Sequence, residues 1–311
     1  MSQNIASRSK PRREDDRLLL GNGKFTDDIS ISGEARGVVL RSPHAHARIM
    51  EINTIEASLL PGVIGILTSR DIDESKIGKI PCAVKILNRD GSPSNTPGRP
   101  TLAQDRVRFV GEPVAFIVAE TEIQALDAAE AIEVTYTELP AVTNPDLAQG
   151  YDQPLLHDDA PKNLCIDWEG GDKEKTDQFF EKADKIVKLE TRNNRIAPSA
   201  LEPRAAIGIY ESGTGRYTLH TPSQGVHRIQ SLLAKEVLNI PEALLRVITP
   251  DVGGGFGVKL WLYPEHVLVL LAAKQFKRPV KWVATRTESF LSDCHGRDAI
   301  TSGEMALDKN G

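Results

Sequence analysis

Cysteine is scarce and scattered. The 311-residue chain has three, Cys82, Cys165 and Cys294, with no Cys-x-x-Cys spacing among them. Iron–sulfur and structural zinc sites need clustered thiolates, so neither is expected within this chain. An odd count without a secreted framework fits a reducing compartment, and a cytoplasmic location is expected. Aromatics are also few, 5% against 40% apolar residues, so the core must be built mainly from Val, Ile, Leu and Ala. That apolar share argues against disorder. No stretch of 18 apolar residues occurs, so no membrane span is expected. Positive charge is not in excess: 38 Lys+Arg against 43 Asp+Glu leave a net charge of −5, which argues against a nucleic-acid partner. The polar start MSQNIASRSKPRREDDR lacks the apolar segment of an export signal.

What is present suffices for about two domains. Residues 1–16 read as a disordered polar leader, 17–144 as a first module, 145–175 as a surface linker and 176–311 as a second module. The fold class expected is α+β. In the first module Val114–Ala119 reads as a buried strand. Thr121 followed by Gln124 forms a capping-box pattern that opens a helix. Ile123, Leu126 and Ala129–Ala131 are its expected apolar face, and Ile132–Tyr136 alternates as the next strand.

In the second module Lys185–Thr191, Ala206–Tyr210, Tyr217–Thr221 and Leu245–Ile248 read as strands. Val226, Ile229, Leu233 and Val237 follow helical spacing. Pro264 suits a first helical position, His266–Phe276 is apolar all round and reads as a buried helix, and Pro279–Ala284 reads as a strand. The chain finishes on Asn310-Gly311, a strong hairpin signal. A return strand is therefore expected beyond it, and the second module reads as incomplete.

The most unusual segment is Asp251-Val252-Gly253-Gly254-Gly255-Phe256-Gly257-Val258-Lys259. Glycine permits close approach and positive φ, and clustered glycines leave backbone N–H groups to receive an anionic oxygen. A dinucleotide fingerprint fails here because Val258 occupies its last glycine position. A phosphate loop fails because Leu260 follows Lys259, and Gly21-Asn22-Gly23-Lys24 fails because Phe25 follows it.

This segment resembles the signature of the large, molybdenum-binding subunit of the xanthine dehydrogenase, aldehyde oxidase and aerobic carbon monoxide dehydrogenase family. Flanking segments agree in order. Leu201-Glu202-Pro203-Arg204-Ala205 is similar to that family's Met-Glu-Pro-Arg-Ala, and Thr221-Pro222-Ser223-Gln224 to its Thr-x-x-Gln. Arg278-Pro279-Val280-Lys281-Trp282 and Arg286-Thr287-Glu288 resemble the strand and turn that follow. In the first module the resemblance rests on Gly111-Glu112-Pro113-Val114, Gly23-Lys24-Phe25-Thr26-Asp27-Asp28 and Arg41-Ser42-Pro43-His44-Ala45-His46-Ala47.

The resemblance implies an α/β hammerhead domain followed by the first, incomplete part of a molybdenum-cofactor-binding α+β domain. It implies a molybdenum–molybdopterin cofactor in its cytosine dinucleotide form. It also implies an iron–sulfur small subunit, an FAD-binding medium subunit, and assembly as a dimer of heterotrimers. The reaction implied is oxidation of an aldehyde, an N-heterocycle or carbon monoxide with oxygen from water. By family position Gln224 would orient an oxo ligand of the metal, and Gly254, Gly255 and Gly257 would let the backbone approach the cofactor. Phe256 would exclude water beside it. The family's catalytic glutamate lies near the far C-terminus, so these 311 residues alone are expected to be inert. Purine-oxidising members carry a glutamate after the motif lysine. Here it is Leu260, so xanthine is not expected as substrate.

Plainer roles stand beside these. Phe256 could belong to the core. Glu202 and Arg204 read as forming a structural ion pair or hydrogen-bond set with each other rather than a catalytic pair. His44 and His46 lack a third metal ligand, His227 and His266 read as capping or packing residues, and Asp71–Glu74 as a solvated surface. A non-catalytic binding or assembly module that keeps the fold is the alternative reading.

Overall fold

The computed structural model describes residues 12–82 and 84–311. Most of the expected leader lies outside these residues, and Asp15 and Asp16 at its end open a short helix, Asp15–Leu19. The first module contributes β1 (Ala35–Arg41), β2 (Ala47–Asn53), β3 (Val63–Leu67), β4 (Arg106–Val107), β5 (Pro113–Ala119) and β6 (Glu133–Glu138). The second contributes β7 (Lys185–Asn193), β8 (Ala205–Glu211), β9 (Arg216–His220), β10 (Leu245–Ile248), β11 (Val280–Val283) and β12 (Ala299–Leu307). The mixture of helices and strands is the expected α+β class.

The two modules are not separate in space. One seven-stranded sheet runs β10-β9-β8-β11-β1-β5-β3, and its middle joint is the parallel pair of β1 with β11, at Ala35↔Val280 and Arg36↔Lys281. A boundary near residue 144 divides the sequence but not this sheet. A three-stranded sheet, β4-β2-β6, belongs to the first module, and β7 and β12 form an exposed two-stranded ribbon. The expected linker contains short 3₁₀ turns at Pro145–Leu147 and Pro161–Asn163, and docks on the first module through Arg89 N–H to Asp167 O at 2.7 Å and Asn95 N–H to Cys165 O at 2.7 Å.

The Glu122–Glu130 helix starts where the capping box placed it: Thr121 Oγ1 accepts the Gln124 N–H. Its buried face differs from the expected one. Ala125, Ala128 and Ala129 are buried, whereas Ile123 is 72% and Leu126 45% exposed. The small side chains let this helix lie close on the sheet, against Ala115, Ile117 and Ala119 of β5. β5 is buried along its whole length, with helices or sheet on both faces.

The Pro264–Phe276 helix is buried from Pro264 through Ala273 and forms the centre of a core that draws on both modules, including Val39, Phe116, Leu219, Leu233 and Trp282. The helix beginning at Val226 widens into a π-helical turn at Leu232–Val237, where Leu238 N–H reaches the Leu233 carbonyl at 2.7 Å. Ile229, Leu233 and Val237 are buried as their spacing predicted, while Val226 is half-buried.

Candidate functional site

The chain leaves β10, turns through the glycine segment and enters the Pro264–Phe276 helix. The turn is held at five points. Asp251 receives a bidentate Arg17 guanidinium, with Nη2 at 2.7 Å from Oδ1, and the Lys24 N–H at 2.7 Å. Those donors hold its carboxyl well below the usual carboxylate range. Glu202 Oε2 accepts both the Gly253 N–H and the Lys259 ammonium, each at 2.7 Å. Burial pushes Lys259 below its ordinary value, and Glu202 opposes that shift. Tyr263 O–H donates to Val258 O at 3.0 Å, and Gln224 N–H donates to Lys259 O at 3.0 Å. The fifth point is the Gln224 side chain, whose Oε1 accepts the Gly257 N–H at 3.0 Å.

Between these anchors the backbone takes a shape few residues adopt. Gly254 has φ +95°, Phe256 +47° and Gly257 +87°. Left-handed conformations adjacent to ordinary ones make a concave row of N–H groups. Among the described residues, the N–H groups of Gly254, Gly255 and Phe256 find no acceptor. A Cβ at Gly255 would sit 2.5 Å from Gln224 Cδ, so glycine here is what lets the amide lie across the turn. Because Gln224 Oε1 faces the Gly257 N–H, its Nε2 is left to donate outward.

All the residues expected at the site are brought together here. Gln224, Gly254, Gly255, Phe256 and Gly257 line one turn. Phe256 is 72% exposed and carries a positive φ, so it is not a core residue. A phenylalanine held at such a φ stores backbone strain, which is commonest at functional sites. The donor set suits a polyanionic, oxygen-rich group: three unpaired backbone N–H groups, one amide donor, and glycines that admit close approach. Leu260 borders it, with its Cδ1 3.2 Å from where a Cβ on Gly225 would lie.

Glu202 and Arg204 do not pair with each other as expected, because each is held by other partners. Arg204 is buried, stacks 3.8 Å over the Tyr263 ring, and pairs with Glu265 at 2.7 Å and Asp293 at 2.5 Å. Glu265 also pairs with Arg41 of β1 at 2.5 Å, and Arg41 with Glu288 at 2.7 Å. Burial alone would raise the Glu265 carboxyl, but Arg204 and Arg41 outweigh it and hold it well below the usual range. Burial pushes Glu288 up, with Arg41 opposing. This network was not visible as a set, although Arg204, Glu265 and Glu288 each stand in or beside a recognised segment.

The histidines stay outside the turn. His44 Nδ1 lies 3.4 Å from Glu138, and the buried His46 Nδ1 bonds Pro140 O at 2.8 Å. His227 is exposed. His266 caps its own helix, its Nδ1 accepting the Tyr263 N–H at 3.3 Å, while Nε2–H donates to Thr221 Oγ1 at 3.2 Å. Asp71 caps the Ser69–Glu74 helix through Thr68.

Comparison with known proteins identifies both modules. Residues 156–311 match the molybdopterin cofactor-binding domain, and 20–140 match the aldehyde oxidase and xanthine dehydrogenase a/b hammerhead domain. The carbon monoxide dehydrogenase large chain of Afipia carboxidovorans is 34% identical over 97% of this chain. The nicotine 6-hydroxylase large subunit of Paenarthrobacter nicotinovorans is 34% identical over 100% of it. A solved structure of reconstituted CO dehydrogenase from Oligotropha carboxidovorans superposes with a TM-score of 0.86 at 33% identity, covering 98% of this chain and 38% of that one. The chain spans about 37% of the length of the two curated relatives. With the hammerhead fold, the glycine turn and the sequence matches in agreement, the chain belongs to the family of molybdopterin-binding large subunits that includes the xanthine, aldehyde and carbon monoxide oxidoreductases.

Proposed function

We propose that these residues form part of the large subunit of a molybdenum hydroxylase. The whole enzyme would oxidise a small substrate (an aldehyde, an N-heterocycle or carbon monoxide) with oxygen derived from water. Electrons would pass to an iron–sulfur small subunit and an FAD-binding medium subunit, in a cytoplasmic dimer of heterotrimers. The cofactor would be molybdenum–molybdopterin in its cytosine dinucleotide form, and it would supply the two-electron redox chemistry.

One observation carries this reading: the Gln224 amide laid across the Gly254–Gly257 turn, with Nε2 aimed outward beside three unpaired N–H groups. The turn's N–H groups would hold the group's oxygens. Gln224 donates one neutral hydrogen bond, which orients an acceptor without changing the local charge. The exposed Phe256 ring covers one side and keeps water from it. The Lys259 ammonium is buried and bonds Glu202 Oε2.

Leu260 narrows the substrate class. Its apolar side chain packs toward Gly225, next to Gln224, where it cannot accept a hydrogen bond from a purine. Xanthine is therefore excluded from the proposed substrates. The base that completes catalysis is assigned to a glutamate outside these 311 residues, which makes this segment alone inert.

The test is elemental and nucleotide analysis of the purified full-length complex. About one molybdenum per large subunit, with cytidine nucleotide released on denaturation, is the expected result. Absence of both metal and pterin would overturn the proposal in favour of a non-catalytic module with the same fold.

A further inference from the structure

Tyr263 is fully buried among charged groups and touches the glycine turn at its far end. Its hydroxyl donates to Val258 O at 3.0 Å and accepts the Cys294 N–H at 3.2 Å. Its ring lies under the Arg204 guanidinium at 3.8 Å. Arg204 is itself fixed by Glu265, Asp293 and a 2.7 Å bond to Ser292 Oγ. Glu265 is shared with Arg41, which arrives from β1 in the other module and also bonds Gly111 O at 3.0 Å. A continuous path of short contacts thus runs from Arg41 through Glu265, Arg204 and Tyr263 to Val258. Val258 N–H closes back on Gly255 O at 2.9 Å, inside the turn.

We propose that Tyr263 is a positioning residue for the Gly254–Gly257 turn, setting the height of Val258 from the buried Arg204–Glu265–Arg41 network and so the reach of Gln224 to Gly257. The inference rests on the function proposed above for what that turn holds, but not for the coupling itself. The opposite end of the turn is pinned by Glu202, so movement of Val258 must be absorbed between Gly254 and Gly257. A cation stacked on an aromatic face and excluded from water is a stiff contact. That stiffness makes Tyr263 a relay for position, whereas an aliphatic residue there would only fill space.

The experiment is hydrogen–deuterium exchange of the full-length subunit, wild type against Tyr263→Phe. Phenylalanine keeps the ring under Arg204 and removes only the hydroxyl. Exchange of the two hydrogen-bonded turn amides, Gly257 and Val258, is expected to accelerate about tenfold, while the Leu268–Ala273 amides of the buried helix stay unchanged. In the loaded enzyme kcat should fall several-fold with KM unchanged. Equal acceleration in turn and helix would mean a general structural role and would overturn the proposal, as would unchanged exchange in the turn. Should Tyr263→Phe fail to fold, Arg204→Lys gives a second reading: it keeps the charge but loses the planar stack and the separately aimed bonds to Asp293 and Ser292, with the Leu268–Ala273 amides as the control for wider loosening. Acceleration confined to the turn supports the relay, and its absence overturns it. A wild-type subunit without molybdenum would sink the proposed function alone, because the Gly257 and Val258 amides read in the exchange are bonded within the chain itself.

Discussion

Replacing Gly255 by alanine separates the role of Gln224 from the stability of the fold. The new methyl would lie 2.5 Å from Gln224 Cδ and 2.7 Å from Oε1. Nonbonded carbons settle at about 3.5–4.0 Å, so the amide must retreat by roughly 1 Å or more. That retreat breaks the 3.0 Å bond from Gly257 N–H to Gln224 Oε1. The stability cost is small for three reasons. Gln224 is exposed and swings into water, Gly255 is not among the residues with positive φ, and a solvent-accessible hydrogen bond is worth only about 0.5–1.5 kcal/mol. Under the proposed function, activity should respond far more, because losing a partner that orients a metal's ligands costs about 10–100-fold in metal affinity or activity. The assay pairs thermal unfolding with molybdenum content and turnover of the full-length complex. A midpoint within about 3 °C of wild type, with at least a tenfold loss of turnover or metal, is expected. Wild-type turnover and metal content in Gly255→Ala would refute the reasoning. So would a stability loss large enough to account for the inactivity.

Other expectations follow from the same geometry. Arg204→Met leaves Asp293 and one Glu265 oxygen buried without a cation, and denaturant unfolding should show a loss of about 3–5 kcal/mol; a loss below about 1 kcal/mol would mean the network is not buried as described. His266 is held neutral: burial first, then Arg204, pushes its pKa down to about 3. Because the folded value lies below the unfolded one of about 6.5, the stability it contributes is present above pH 6.5. That contribution is lost as pH falls toward 3, with a slope of at most about 1.4 kcal/mol per pH unit. His266→Gln should flatten that limb of a stability–pH profile, and an unchanged limb would exclude His266 as its source. Xanthine offered to the full-length complex should give no turnover above background, whereas sustained urate formation would remove Leu260 from the substrate argument.

How much of this was legible depends on sequence distance. The turn could be read because its signals are local: four glycines within Gly253–Gly257, and Gln224 one helix and one strand upstream. The Thr121 cap and the Pro264–Phe276 helix were legible for the same reason. The groups that hold the turn were not. Arg17 meets Asp251 across 234 positions, Arg41 meets Glu265 across 224, and Lys259 meets Glu202 across 57. Charge pairing carries no periodic signature, so each residue reads alone as surface or motif. The Glu122–Glu130 helix misled differently. Hydrophobicity ranks Ile123 and Leu126 above alanine, but a close helix–sheet approach selects for small side chains. The joined sheet escaped notice because parallel pairing of β1 with β11 leaves no local turn to announce it.

That joint has a consequence for the order in which the molecule is made. Arg278, on the way into β11, bonds the Gly33 carbonyl 245 residues upstream, just before β1. A ribosome adding about 5–20 residues per second needs roughly 12–50 s to cover that interval. Once β5 has been made, and until β11 follows, β1 has β5 on one side and a bare hydrogen-bonding edge on the other. The nascent first module is therefore a sheet with an open centre, at risk of pairing with its own kind until β11 emerges. Slower translation upstream of Val280 should raise aggregation, and a chaperone that shields strand edges should relieve it.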